Sequence, residues 1–199
     1  MIAVQGLRKS VAGRDIIAGV DLRVGAGEIC CLAGPSGLGK TTLLEIMAGL
    51  RSPDAGRVER RAPVAVAFQD DVLLPWLDAA GNLDYALAAL PAHQRQDLRR
   101  QWLDRFDLPG ELRPAAMSGG MRRRLTLARA FAAGRPLLLL DEPFAFLDAQ
   151  WQQRVAEEIG QAALAGAAIF IISHQFEALS GLNCRIIRPS GAPLTFCIY

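Results

Sequence analysis

Residues 34–42 read Gly34-Pro35-Ser36-Gly37-Leu38-Gly39-Lys40-Thr41-Thr42, which fits G-x-x-x-x-G-K-[ST], the pattern of a phosphate-binding loop. In front of it, Glu28 to Ala33 is a short apolar run that suits a buried strand. Behind it, Thr41 to Gly49 has the composition of a helix that stops at a glycine. Strand, glycine-rich loop and helix, in that order, are the setting the pattern needs. Glycines let the backbone curl until several N–H groups face one point, and that point lies at a helix N-terminus, which favours a polyphosphate. On this reading Gly34, Pro35, Ser36, Gly37, Leu38, Gly39, Lys40, Thr41 and Thr42 cradle a nucleotide. Lys40 reaches its β- and γ-phosphates, and the Thr41 hydroxyl ligates Mg²⁺. The blander alternative is a glycine-rich turn with a surface lysine, and the flanking strand and helix argue against it.

Outward from the loop, Pro136 to Leu140 and Ala167 to Ile172 are unbroken apolar runs, as parallel strands buried on both faces are. Val64 to Phe68 reads as a strand that stops at Gln69. Upstream, Ile2 to Leu7 and Ile16 to Val24 carry the alternation of antiparallel strands, with turns at 11–15, 25–28 and 52–56. After Gln69 the composition shifts to Ala, Leu, Gln and Arg with helical periodicity. Helices are expected over Gly81 to Leu87 and Arg95 to Phe106, split near Pro91, and over Met121 to Ala133. A helix from Asp148 to Leu164, a short helix from Gln175 to Leu182, and closing strands over Arg185 to Arg188 and Leu194 to Tyr199 complete the expectation. The chain is therefore expected to form one domain over 1–199, an α/β core from 1–69 and 134–199 with a helical block, 70–133, inserted between strands.

Composition bounds the function classes. The chain has 199 residues, of which 51% are apolar, enough for a sizeable core. A net charge of +2 gives no argument for nucleic acid. The local clusters Arg99-Arg100 and Arg122-Arg123-Arg124 read as solvated helix faces. Cys30, Cys31, Cys184 and Cys197 make no C-x-x-C and read as reduced, packed thiols of a cytosolic protein. The first residues lack a charged region followed by an apolar block, so no signal peptide is expected. No apolar run reaches about 18 residues, so contact with a membrane would come through a partner.

Several side chains are candidates for chemistry beside the loop. Leu137 to Leu140 leads into Asp141-Glu142, which puts two carboxylates at the carboxyl edge of a buried strand. Asp141 is the right type to hold Mg²⁺, and Glu142 can orient and deprotonate an attacking water. An acidic strand-end turn is the alternative. His174 ends another such strand, where it suits a γ-phosphate contact rather than a packing role. Gln69 offers a neutral amide that can bind Mg²⁺ or water. Ser118 can cap the helix it precedes, while Gly119 and Gly120 leave N–H groups bare, which makes a second anion site. One nucleotide does not need two such sites in one chain, so the second is expected to serve another subunit.

Taken together, the phosphate loop, Gln69, Ser118-Gly119-Gly120, Leu140-Asp141-Glu142-Pro143, Leu147-Asp148 and His174 resemble, in order and spacing, the ATPase subunits of ABC transporters. The resemblance spans nearly the whole chain. It implies an α/β fold: a P-loop NTPase (RecA-like) core with an antiparallel β subdomain and an inserted α-helical subdomain. It also implies two copies paired head to tail, with ATP and Mg²⁺ between the phosphate loop of one and Ser118-Gly119-Gly120 of the other. Catalysis would fall to Glu142, His174 and Lys40, and the metal to Thr41, Gln69 and Asp141. Asp148 would belong to a loop that crosses the dimer interface. The implied partners are a second ATPase subunit, transmembrane permease subunits and an extracytoplasmic solute-binding protein, with no nucleic acid. The implied location is the cytoplasmic face of the inner membrane, through permease contact.

Some residues depart from the family pattern. Val11 stands where an aromatic ring usually stacks on adenine, so base selectivity is expected to be loose. Met117 and Met121 replace the ends of the usual L-S-G-G-Q, and Arg122 to Arg124 occupy positions where Gln is common. Met121 and Leu73-Leu74-Pro75-Trp76 look like the nitrate, sulfonate and taurine importer group. In that group, Leu73, Leu74, Trp76 and Leu77 would line a groove for a short permease helix. After His174 only a brief tail follows, with no regulatory domain expected. Two other readings stay open: a soluble ABC-type ATPase acting on ribosomes or DNA, and a weakly active nucleotide-binding paralogue.

Overall fold

The structure is a computed structural model that describes residues 1–189 and 191–198. In chain order these form β1 (Ile2–Val11), β2 (Arg14–Val24), β3 (Ile29–Leu32), α1 (Lys40–Ala48), β4 (Ala55–Arg60), β5 (Val64–Ala67), α2 (Ala79–Ala86) and α3 (Ala92–Arg105). They continue with α4 (Gly119–Ala132), β6 (Leu137–Asp141), α5 (Ala149–Leu164), β7 (Ala168–Ile172), β8 (Cys184–Ile187) and β9 (Leu194–Ile198). A parallel sheet runs β5-β6-β7-β3-β8, and a second sheet runs β4-β1-β2-β9.

The apolar runs explain the layering. Side chains alternate across a strand, so a strand apolar at every position feeds a core on each face. Leu138 and Leu140 of β6, with Ile169 and Ile171 of β7, pack into the core that receives α4 and α5. Leu137 and Leu139, with Phe170 and Ile172, pack into the core that receives α1 and the second sheet. Both strands are buried along their whole length. Asp78 starts α2 by accepting the Gly81 N–H at 2.8 Å, as a capping carboxylate does. Aromatic rings join the helical block to α5: Trp102, Phe106, Phe131 and Trp151 make three stacked contacts and one tilted contact, with centroids 5.9 to 6.3 Å apart.

Four features differ from the sequence expectation. β4 was not expected: half of its residues are charged, none is fully buried, and it pairs at the sheet edge beside β1, where one solvated face suffices. The antiparallel sheet closes with a parallel pair, β2 with β9, in the register Ile17 with Leu194 and Leu22 with Ile198. The expected strand end Tyr199 lies outside the described residues. The expected helix over Gln175 to Leu182 is only a 3₁₀ turn, Phe176–Leu179. Finally, Arg122 to Arg124 is not a solvated charge cluster. Arg123 is 0% exposed, Arg122 donates to the Met117 carbonyl at 2.8 Å, and Arg124 donates to the Phe106 carbonyl at 2.6 Å while lying over the Trp151 ring. Arg123 and Arg124 find backbone acceptors supplied by other elements, which a lone helix would not offer, whereas Arg122 bonds just ahead of its own helix and keeps a side chain 41% exposed.

Candidate functional site

At the carboxyl edge of the parallel sheet lies a cavity of about 360 Å³. Its phosphate-loop wall is Ser36, Gly37, Gly39, Lys40, Thr41 and Thr42, and its opposite wall is Gln69, Asp141 and Glu142. The loop leaves β3 and turns through Gly37 and Gly39 at φ +83° and +86°, conformations that L side chains avoid. Gly39 is also the residue before α1, and no side chain caps that helix, so its first N–H groups face the cavity. Behind the loop, Leu38 is buried and packs against Gly34.

Lys40 is 6% exposed and donates to the carbonyls of Gly34 and Pro35 at 2.8 and 2.7 Å. Burial lowers the pKa of its ammonium, and the nearby Glu142 and Asp141 carboxylates oppose that shift. The Thr41 hydroxyl donates to Asp141 Oδ2 at 2.8 Å. Asp141 is 1% exposed, and its Oδ1 is buried with no hydrogen-bond partner. Burial raises the Asp141 pKa, and the Thr41 bond works against it. A buried, unpartnered carboxylate oxygen next to a hydroxyl is an expensive arrangement by itself, and it fits a hard cation that takes oxygen ligands.

Glu142 follows with φ +48°, a left-handed backbone that costs a residue with a Cβ about 1–3 kcal/mol. Its N–H donates to the Ile172 carbonyl at 2.8 Å and so ties the end of β6 to β7. His174 Nδ1 lies 2.9 Å from Glu142 Oε2, and the His174 backbone N–H donates to the same oxygen at 3.3 Å. His174 thus meets the cavity through Glu142 and is not part of its wall, with a side chain 59% exposed. Gln69 is exposed and also lines an adjoining cleft with Thr41, Glu45 and Asp141.

Ser118, Gly119 and Gly120 are not part of this cavity wall. Ser118 caps α4 by accepting the Met121 N–H at 3.2 Å and is exposed, while Gly119 and Gly120 are half-buried. Asp148 likewise caps α5, accepting from Trp151 N–H at 2.8 Å. Val11 and Ile16 supply aliphatic surface to the cavity, and no aromatic ring lines it among the described residues.

Residues that sequence reasoning missed support the site from behind. Arg123 donates to the carbonyls of Phe68, Asp141 and Glu142. Arg51 reaches the cavity while paired with Glu45 at 2.7 Å. Asn82, fully buried, donates to the carbonyls of Leu74, Leu77 and Asp78 and accepts from Leu74 N–H at 2.9 Å, which fixes the loop that exposes Val72 and Trp76. Arg123 depends on carbonyls that the fold brings near, whereas Arg51 and Asn82 bond close neighbours in the chain.

The ABC transporter family model matches residues 17–145 of the chain. The taurine import ATP-binding protein TauB of Chromobacterium violaceum is 38% identical over 188 residues, 88% of this chain and 72% of that protein. The aliphatic sulfonates import ATP-binding protein SsuB 1 of Pseudomonas syringae pv. syringae is 35% identical over 193 residues, 94% of this chain and 79% of that protein. Among solved structures, the dimeric post-hydrolysis state of the ATP-binding cassette MJ0796 bound to ADP and Pi superposes with a TM-score of 0.86. It is 23% identical, with 94% of each chain covered, a likeness of fold.

Proposed function

The chain belongs to the ABC transporter family, and from that membership we infer that it is the ATP-binding, ATP-hydrolysing subunit that energises the import of a small solute. The observation that carries this is the gathering of Lys40, Thr41, Gln69, Asp141 and Glu142 around one cavity. The import names of its relatives support the direction of transport.

In this function the bare N–H groups of α1 and the Lys40 ammonium bind the phosphates of ATP. Thr41, Asp141 and Gln69 would hold Mg²⁺, with the unpartnered Asp141 Oδ1 as its natural acceptor site. Bound there, Mg²⁺ neutralises charge developing on the phosphoryl oxygens. Glu142 takes a proton from water as its oxygen attacks the γ-phosphorus, and the bond to the bridging oxygen of ADP breaks. His174 holds the Glu142 carboxylate in place. Ser118 is exposed at the head of α4 with Gly119 and Gly120 half-buried beside it, and this turn would contact the γ-phosphate of an ATP held by a second copy. ATP would then bridge two subunits and hydrolysis would release them, the differential contact that a ligand-driven switch needs.

The remaining parts follow from this reading. The core would comprise 1–69 and 134–199, with 70–133 as the helical subdomain. Val72 and Trp76, exposed on the loop after Gln69, would meet the permease. The subunit would sit at the cytoplasmic face of the inner membrane, with a solute-binding protein on the far side. The test is Glu142→Gln. ATP binding is expected to persist while turnover nearly ceases and a nucleotide-trapped dimer accumulates on size exclusion. Hydrolysis by this variant at the wild-type rate would remove Glu142 from the role of base.

A further inference from the structure

Among the described residues Arg123 is the largest side chain that is fully buried, and it carries a charge. Burial lowers the pKa of its guanidinium, and the charges of Asp71, Asp141 and Glu142 oppose this. Asp71 Oδ1 lies 3.8 Å from Nη1, too far for a strong direct bond. Its hydrogen bonds are therefore spent on backbone. Nη1 donates to the carbonyl of Phe68, the residue before Gln69. Nη2 donates to the carbonyls of Asp141 and, at 2.7 Å, Glu142. One fork thus clamps the ends of β5 and β6, and it does so from the early turns of α4, the helix that Ser118 caps.

Glu142 needs such a clamp. Its left-handed backbone is strained, and its conformation is held on the N–H side by Ile172 and on the carbonyl side by Arg123. A planar guanidinium here serves three carbonyls at the ends of two strands at once, and an apolar side chain in its place would leave all three unpaired. We propose that Arg123 is a positioning residue. It fixes the backbone that aims Glu142 and Gln69 into the cavity, and it makes that aim depend on where α4 carries Ser118. The proposal rests on Glu142 acting as the base.

The experiment compares the full chain with Arg123→Met, Arg123→Lys and Glu142→Gln. It measures steady-state ATP hydrolysis, direct binding of a fluorescent ATP analogue with Mg²⁺, and thermal unfolding. Loss of aim acts on the chemical step, so Arg123→Met, which removes every donor, is expected to lower kcat on the order of 100-fold, with analogue affinity changed less than about threefold. Arg123→Lys keeps the charge but not the fork, and its kcat should fall between that of Arg123→Met and wild type. In single-turnover hydrolysis, adding Arg123→Met to Glu142→Gln should cost little more, because both act through one side chain. The proposal is overturned if the two losses multiply, or if kcat per folded molecule is kept while only the melting temperature falls. Should Arg123→Met not fold, the Lys variant decides: wild-type kcat in it overturns the proposal. Full turnover by Glu142→Gln would instead overturn the assignment of the base, whatever Arg123 does.

Discussion

Replacing Gly39 by alanine tests how tightly the phosphate loop is built. At φ +86° an L residue pays about 1–2 kcal/mol for the left-handed backbone. The new Cβ would also stand 2.5 Å from Ile16 Cγ2 and 3.1 Å from the Ile16 carbonyl oxygen, so β2 or the loop must shift. Overpacking of this kind costs about 1–3 kcal/mol, and the two terms together reach about 2–5 kcal/mol. The loop can relieve the strain by opening. That moves the loss from folding stability to ATP affinity, where about 1.4 kcal/mol is a factor of ten. The expected quantity is therefore the sum of two readouts, the change in urea unfolding free energy and the change in binding of a fluorescent ATP analogue. The double variant Ile16→Ala/Gly39→Ala removes Cγ2 but leaves the carbonyl contact and the dihedral. It should recover only the packing share and remain about 1–2 kcal/mol short. A Gly39→Ala protein within about 1 kcal/mol of wild type in the summed readouts would show that the loop has room for a Cβ at this position. So would a double variant that binds the analogue as wild type does.

Three further outcomes are expected. ATPase rate should rise more than linearly with protein concentration, because Ser118 stands outside the cavity of its own chain; strict proportionality through the monomeric range would contradict the shared site. Asp78→Ala should lower stability in urea by about 1 kcal/mol through loss of the α2 cap, with no effect on analogue binding; an unchanged unfolding midpoint would mean that the cap is not stabilising. Burial pushes the thiols of Cys30, Cys31 and Cys184 up to about 11, 12 and 11, so at pH 8 roughly a thousandth or less of each is thiolate, the reactive form. Ellman's reagent should therefore find one fast thiol per native chain, the exposed Cys197, and a second fast thiol would show that the sheet edge opens.

The parts of the fold that were legible in the sequence are those whose cause is local. The phosphate loop needs glycines where φ is positive, and Gly37 and Gly39 announce them. β6 up to Leu140 and β7 are apolar because both faces are covered, and Ser118, read as a cap, does cap. What stayed hidden depends on neighbours distant in sequence. β4 is an edge strand that needs little apolar surface, so Ala55 to Arg60 has no alternation to detect. The parallel pairing of β9 with β2 is a matter of topology. Arg123 looked like one of three solvated arginines, because nothing in α4 shows that the Phe68, Asp141 and Glu142 carbonyls converge on it. The lining of the cavity was anticipated better than its support, since phosphate chemistry restricts residue type while backbone carbonyls are supplied by any residue.

The placement of β3 has a kinetic consequence. This strand launches the phosphate loop, yet its two sheet neighbours are β7 and β8, with Ile29 opposite Ile169 on one side and Cys184 on the other. Loop-closure entropy must be met before either pairing is rewarded. A growing chain therefore carries its phosphate-loop residues long before anything holds their shape. Competence to hold nucleotide should arise late and abruptly in folding, with the docking of β7 and β8, rather than accumulate as the loop emerges.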